Sequence, residues 1–233
     1  MLKPEMNTLG VSVGRDKFFQ FLRKSRLLVP KSRKFTLTTM SNHRFFKHPN
    51  LIKDLTLSRP EQVWVSDITY IKTHQENLFL SLVTDAFSKR IMGYHLADNL
   101  KTDGPLKALQ MALGNRLYPN RKLIHHSDRG LQYCNPVYTD LLQHHKIKVS
   151  MTTKYDPYEN AIAERVNGII KNEMIVLDIL PDKEIAHRAV PQSIKTYNSR
   201  RPHLTIGYRT PMQAHEHPDF RLKRWKKYLD KAN

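Results

Sequence analysis

The stretch from residue 63 to 97 constrains the fold most. Three extended, apolar segments stand there in close succession: "VWVSDITYI" (63–71), "LFLSLVTDAF" (78–87) and "RIMGYHLA" (90–97). Only "KTHQEN" and "SK" separate them, and gaps that short close hairpins, so an antiparallel meander is expected. Thr102 then caps a helix through about residue 117, with Pro105 in its first turn and Leu106, Leu109 and Leu113 at helical spacing. "KLIHHS" (122–127) returns to strand, 135–145 suits a helix, and "IKVSMT" (147–152) suits another strand. Asp156 and Pro157 cap and open a long helix that continues through "ENAIAERVNGIIK" (159–171). This order predicts an α/β fold: a mixed sheet of three antiparallel strands plus two further strands, with flanking helices.

The flanks read differently. "GRDKFFQFLRKSRLLV" (14–29) is one amphipathic helix ending at Pro30, with Phe18, Phe19, Phe21 and Leu22 as its buried side. Residues 31–60 form a polar, basic, aperiodic linker or arm. In "KEIAHRAVPQSIKTYN" (183–198) the period is helical, yet Pro191 is expected to kink or break it. The organisation is therefore a partial helical segment (1–30), a linker (31–60), a core (61–212) and a basic tail (213–233).

Charge follows the same division. The net charge of +18 is concentrated as +10 in residues 1–60 and +5 in 221–233, leaving the middle near neutral. Cationic arms around a compact core suit a polyanion, because each neutralised phosphate releases counterions. The tail lacks the apolar face that a membrane surface needs, so nucleic acid is the expected partner and no membrane is. No run of about 18 apolar residues exists to span a bilayer. Cys134, the single cysteine, excludes an intrachain disulfide framework and points to a reducing compartment; it reads as a packing residue. There is no CxxC, HExxH, P-loop or GxSxG pattern, which argues against zinc catalysis, an ATPase or a serine hydrolase.

Three acids are placed where they could meet, although with 21 acidic residues some such triple is unremarkable on spacing alone. Asp67 lies inside the first strand, Asp128 directly follows the fourth, and Glu164 sits in the long helix. At 100° per residue, Asn160, Glu164, Asn167 and Lys171 fall within about 60° of one another, an expected open stripe with Ile162, Val166 and Ile169 docked behind. The two aspartates meet if the first and fourth strands are neighbours, which the order allows without requiring. Glu164 joins them if its stripe faces the strand ends. Three carboxylates so close would have raised pKa values unless a cation neutralised them. All-oxygen ligands suit Mg²⁺ or Mn²⁺. Asp85, ending the second strand, either joins this site or caps a turn, and the turn is the reading preferred.

"WVSDITYI" (64–71), "HHSDRGLQY" (125–133) and "YDPYENAIAERVNGIIKNE" (155–173) together resemble the DDE transposase and retroviral-integrase superfamily. The nearest likeness is to bacterial insertion-sequence transposases encoded by the second of two overlapping reading frames. Between Asp128 and Glu164 lie 35 residues, the family's spacing, and "YNSRRPHLTIGYRTP" (197–211) resembles its closing motif. The resemblance implies a ribonuclease H-like fold, an integrase-type catalytic core over 61–212, and two Mg²⁺ ions, replaceable by Mn²⁺, on Asp67, Asp128 and Glu164. It implies cleavage and strand transfer at element ends, with Lys171, Asn160, Asn167, Arg129, Lys154 and Arg201 as DNA contacts. Tyr197, Asn198 and Arg201 either touch DNA or hold the C-terminal edge of the core, and for Tyr197 packing is the reading preferred. Double-stranded DNA, a homodimer or larger, and an upstream-frame helix-turn-helix protein are the implied partners, in the bacterial cytoplasm at the nucleoid. The alternatives are a ribonuclease H-like nuclease that never joins strands and a catalytically idle DNA-binding remnant. Tyr155, Asp156 and Glu159 depart from the usual third motif without touching the triad.

Overall fold

The computed structural model describes residues 6, 10–28, 43–153, 157–175 and 177–219. A five-stranded sheet in the order β3-β2-β1-β4-β5 forms its centre. The strands are β1 (Val63–Lys72), β2 (Asn77–Asp85), β3 (Ile91–Ala97), β4 (Ile124–Ser127) and β5 (Lys148–Met151). The first three pair antiparallel, whereas β4 pairs parallel with both β1 and β5. Parallel neighbours need crossovers long enough to return the chain. Upstream of the sheet stands α1 (Arg15–Lys24); the crossovers are α2 (Asp103–Gly114), then the short α3 (Leu131–Cys134) with α4 (Pro136–His144).

Alternation along the strands makes two cores. Trp64, Ile68, Val83 and Met92 meet Ala108, Leu109 and Ala112 of α2 and Tyr138 and Leu142 of α4. Ile71, Leu78, Leu80 and Leu82 meet Val166 and Ile169 of α5 (Ala161–Ile169) and Ala186, Val190, Ile194 and Tyr197 of α6 (Lys183–Arg200). The α2–β3 contact is so close that a Cβ on Gly93 would stand 2.1 Å from the Ala108 carbonyl oxygen. Only glycine fits there.

Several expectations are corrected. Pro191 lies inside α6 without ending it, because the apolar face of that helix is buried on both sides of the proline, and packing outweighs the lost backbone bond. α1 stops at Lys24, and only Phe18 and Leu22 of its apolar set are buried, while Phe19 and Phe21 are exposed. The long helix is three pieces: a 3₁₀ turn (Pro157–Asn160), α5, and a π turn (Ile170–Met174) closed by Ile175 N–H donating to Ile170 O at 3.0 Å. Asp156, its expected cap, lies outside the described residues. The far end of the linker is docked. Met151 N donates to Pro49 O at 3.3 Å, Leu51 N to Ser150 Oγ at 2.8 Å, and Ile52 and Leu57 pack on Val63, Val65 and Ala163.

The core also runs past residue 212. α7 (Pro211–Glu216) carries His215, fully buried, to within 3.4 Å of Glu61 Oε1, while Ser88 Oγ is 2.9 Å from His215 Nδ1. Glu61 also accepts from Arg116 Nε at 2.9 Å and from the amides of Leu117 (2.7 Å) and Tyr118 (3.2 Å). Asp85 does cap a turn: it accepts from Ser88 N (2.7 Å), Ser88 Oγ (2.8 Å) and Glu61 N (2.6 Å). Burial pushes the Glu61 carboxyl up, but His215, Arg116 and the two amides overcome that and hold it at about 2. Asn198 pins the free edge of β3 with both ends of its amide, each 2.9 Å from a backbone group of Ile91. Tyr197 is fully buried and donates to Lys89 O. Both side chains hold the edge of the core.

Candidate active site

β1 and β4 are neighbours, and the condition left open by the element order is met. Their last paired register is Ser66↔Ser127. Asp67, the next residue of β1, and Asp128, the first residue after β4, stand at the fork where β1 continues and β4 has ended. Asp128 is held by its own turn, with Gly130 N donating to Oδ1 at 2.9 Å. A Cβ at residue 130 would stand 2.9 Å from the same oxygen, so a larger residue there would push the carboxylate out of this position.

Asp67 is half-buried and accepts two hydrogen bonds, from Ile68 N (2.8 Å, Oδ1) and Asn167 Nδ2 (2.8 Å, Oδ2). These do not balance its surroundings. Burial, then the charge of Asp128, push its pKa up to about 8, with Glu164 adding a smaller push. Glu164 itself is exposed on α5 and raised by partial burial. Among the described residues, no three carboxylate, imidazole or thiol side chains lie within chelating range of one ion. The two aspartates thus form the pair, and Glu164 stands at its rim.

The expected open stripe is only partly open. Asn160 and Asn167 are buried, at 6% and 5% exposure, and turn towards the sheet. Asn160 Nδ2 donates to Ser66 O at 3.2 Å, and Asn167 holds Asp67. Both Oδ1 atoms are buried without a hydrogen-bond partner among the described residues. The buried arc of α5 is broad enough to take in these short amides, which satisfy polar groups where the strands diverge. Lys171 rides on the π turn, its Nζ 3.8 Å from the Tyr70 ring centroid. A wider turn than α-helix shifts the side chains after it, and such turns concentrate at functional sites. Of the two readings of Arg201, the structure favours the one that holds the edge of the core: it is buried, with Nη2 2.5 Å and Nε 3.1 Å from Glu173 Oε2. Arg129 follows Asp128 and its carbonyl accepts from His43 Nε2 at 2.9 Å. Lys154 lies outside the described residues.

Beneath the fork is a polar layer the sequence did not reveal. His125, fully buried, shares Nε2 with Ser66 Oγ (2.8 Å) and the Tyr138 hydroxyl (2.9 Å), and burial drives its pKa down to about 3. His126 pairs with Ser150 Oγ at 2.9 Å and is lowered to about 4 by burial. Neither imidazole carries charge at neutral pH, so neither neutralises the aspartates. The doubled histidine before Asp128 was the available signal, and it reads as strand until the neighbours are known.

The Integrase core domain family matches residues 58–157, and a second Integrase core domain family matches 145–211. Over 214 residues the chain is 34% identical to Transposase InsF for insertion sequence IS3A of Escherichia coli (strain K12), covering 91% of this chain and 74% of that one. The chain belongs to the insertion-sequence transposases with an integrase core. This transposase is also 34% identical over 217 residues to the insertion element IS600 uncharacterized 31 kDa protein of Shigella sonnei, covering 92% of this chain and 79% of that protein. Among solved structures, the transposase resembles the HTLV-2 integrase catalytic core domain in complex with magnesium, with a TM-score of 0.52 and 19% identity over 67% of its length and 97% of that chain. It also resembles a chain of the simian T-cell lymphotropic virus intasome, with a TM-score of 0.59 and 18% identity over 84% of its length and 67% of that chain. The mixed sheet of the transposase is accordingly the ribonuclease H-like fold, and the enzyme is of the DDE type. No helix among the described residues is long and apolar enough to cross a membrane.

Proposed function

We propose that the transposase cuts DNA at the ends of its insertion sequence and joins the freed ends to target DNA, with Asp67, Asp128 and Glu164 holding two Mg²⁺ ions, for which Mn²⁺ substitutes. The observation that carries this reading is the Asp67–Asp128 pair at the fork of β1 and β4, one register step beyond Ser66↔Ser127. The donor set fits the metal. It is all oxygen, it includes a carboxylate pushed up to about 8 that a cation would return to its charged form, and the unpartnered Oδ1 atoms of Asn160 and Asn167 can accept from water there. When bound, the ions lower the pKa of the attacking oxygen and stabilise the leaving one.

The remaining work falls to side chains. Asn167 fixes the Asp67 carboxylate and the Gly130 amide fixes Asp128. Glu164 completes the set from the rim, and Asn160 holds α5 to β1 through the Ser66 carbonyl. Lys171, held against Tyr70, meets a phosphate of the strand, as do Arg129 and Lys154. Arg201 serves DNA indirectly, by fixing the π turn through Glu173. In hydrolysis, water oxygen bonds to phosphorus and the P–O3′ bond breaks, leaving a 3′-hydroxyl. That hydroxyl attacks a second phosphorus and displaces its O3′. Two element ends must be held together, which calls for a homodimer or larger assembly, and an upstream-frame helix-turn-helix protein supplies recognition of the ends. The bacterial cytoplasm, at the nucleoid, is where this chemistry meets its substrate.

The test combines a labelled element-end duplex, a plasmid target and Mg²⁺, with Glu164→Gln as control. Joined product that disappears in the variant is the expected result. Binding of Mn²⁺ followed by calorimetry gives a readout free of turnover, and Asp67→Asn should weaken it. Cleavage without joining would favour the nuclease; Mn²⁺ affinity unchanged in Asp67→Asn would remove that residue from the metal site.

A further inference from the structure

The end of the linker has a character its role as a tether does not explain. Residues 43–50, "HRFFKHPN", interleave aromatic and basic side chains. Phe46 is 72% exposed and Phe45 37%. Arg44 and Lys47 beside them are exposed too. The rings are organised, with Phe46 edge-on to His48 at 4.9 Å between centroids and Phe45 tilted against His43 at 5.6 Å.

This strap is anchored at both ends, by the His43 side chain and by the Pro49 carbonyl. His43 Nε2 donates to the carbonyl of Arg129, the residue after Asp128. Pro49 O accepts from Met151 N, at the end of β5. Lys47 and Arg129 both stand close enough to act electrostatically on the buried thiol of Cys134, in the helix that follows the Asp128 turn. Two exposed phenylalanines therefore lie in a segment tied at one end to the residue after Asp128 and at the other to the end of β5, where a solvated linker would carry polar side chains.

We propose that this strap grips unpaired bases of the DNA strand delivered to Asp67 and Asp128. Phe46 stacks on a base with Phe45 alongside, and Arg44 and Lys47 meet the flanking phosphates. The inference rests on the DNA reading above and specifies its substrate as a strand with unpaired bases at the reacting end. Phenylalanine has no donor or acceptor with which to read a paired base edge, but its face accepts any base whose own face is free. Duplex bases are already stacked on one another, so such a contact selects strands opened at the site. The basic neighbours supply the phosphate attraction that aromatic rings lack.

The experiment uses the full chain without divalent metal, a labelled oligothymidylate and a labelled blunt hairpin duplex, with affinity read by fluorescence anisotropy. Phe46→Ala should weaken oligothymidylate binding by about tenfold or more, the usual scale for one lost base-stacking contact, and leave the duplex within about twofold. Phe46→Trp should restore affinity and show quenching on binding beyond that of the wild type. Circular dichroism is expected to be unchanged, because the side chain is exposed. Equal losses on both DNAs, or no loss on either, would overturn the strap's role while wild-type binding left the DNA reading standing. Wild-type protein that binds neither DNA would overturn both. Unchanged DNA affinity with a lower sedimentation mass for Phe46→Ala would assign the rings to a contact between copies.

Discussion

Two pairs of acids sit on the same strand and its neighbours, and they are treated in opposite ways. Glu61, just before β1, and Asp85, at the end of β2, are both fully buried and surrounded by donors: a guanidinium, backbone amides, a serine and His215. Asp67 and Asp128, a few residues further along β1 and β4, are more open to solvent. Among the described residues, Asp67 has only an amide and a carboxamide to answer it. Glu61 is driven down to about 2 and Asp67 up to about 8. Burial alone does not distinguish a structural acid from a reactive one. The supply of donors does.

Removing a partner from each pair sharpens that contrast. Glu61→Ala strands the Arg116 guanidinium in the core and should cost about 3–5 kcal/mol in urea unfolding, the usual scale for a broken buried pair. Asp128→Asn should abolish strand transfer while leaving metal-free stability equal or higher by about 1 kcal/mol, because it relieves repulsion on Asp67. A loss of stability there as large as in Glu61→Ala would break the comparison.

The pH dependence should split the same way. The folded pKa of Glu61 lies below its usual 4.5, so its stabilisation is present above that pH and is lost as pH falls towards 2. The folded pKa of Asp67 lies above its usual 3.8, so the metal-free fold binds the proton more tightly than the unfolded chain and weakens as pH rises from about 4 to about 8. Thermal melts should therefore show an acid limb flattened by Glu61→Gln and a limb between those higher values flattened by Asp67→Asn or by Mg²⁺. A smaller effect is expected at Gly130→Ala, which crowds Asp128 Oδ1 at 2.9 Å and should weaken Mn²⁺ binding more than it lowers Tm. The smallest is Asn167→Ala: about 1 kcal/mol from one lost hydrogen bond, with the Asp67 titration, followed by NMR, moving further upward.

These contrasts also mark what the sequence could tell. The sheet was legible because short gaps force hairpins and the later strands alternate with helices, and Asp67, Asp128 and Glu164 stood out through their places in motifs. Whether the aspartates meet depended on strand neighbours, which element order does not determine. Asn160 and Asn167 were read as outward-facing because a helical wheel shows direction around an axis, not how wide the buried arc will be or which carboxylate lies under it. Pro191 and the π turn show packing overriding local preference. The Glu61 cluster left no local signal, since its partners lie at residues 116 and 215, brought together only by the finished fold.

That last separation has a consequence for synthesis. His215 leaves the ribosome long after Glu61, Asp67, Asp128 and Glu164 have all been made. A nascent chain stopped before α7 would hold every proposed metal ligand yet bury Glu61 without His215 beside it. Premature termination should thus yield copies that fold poorly and are cleared by proteolysis, so DNA breakage would await a ribosome that reads the whole core.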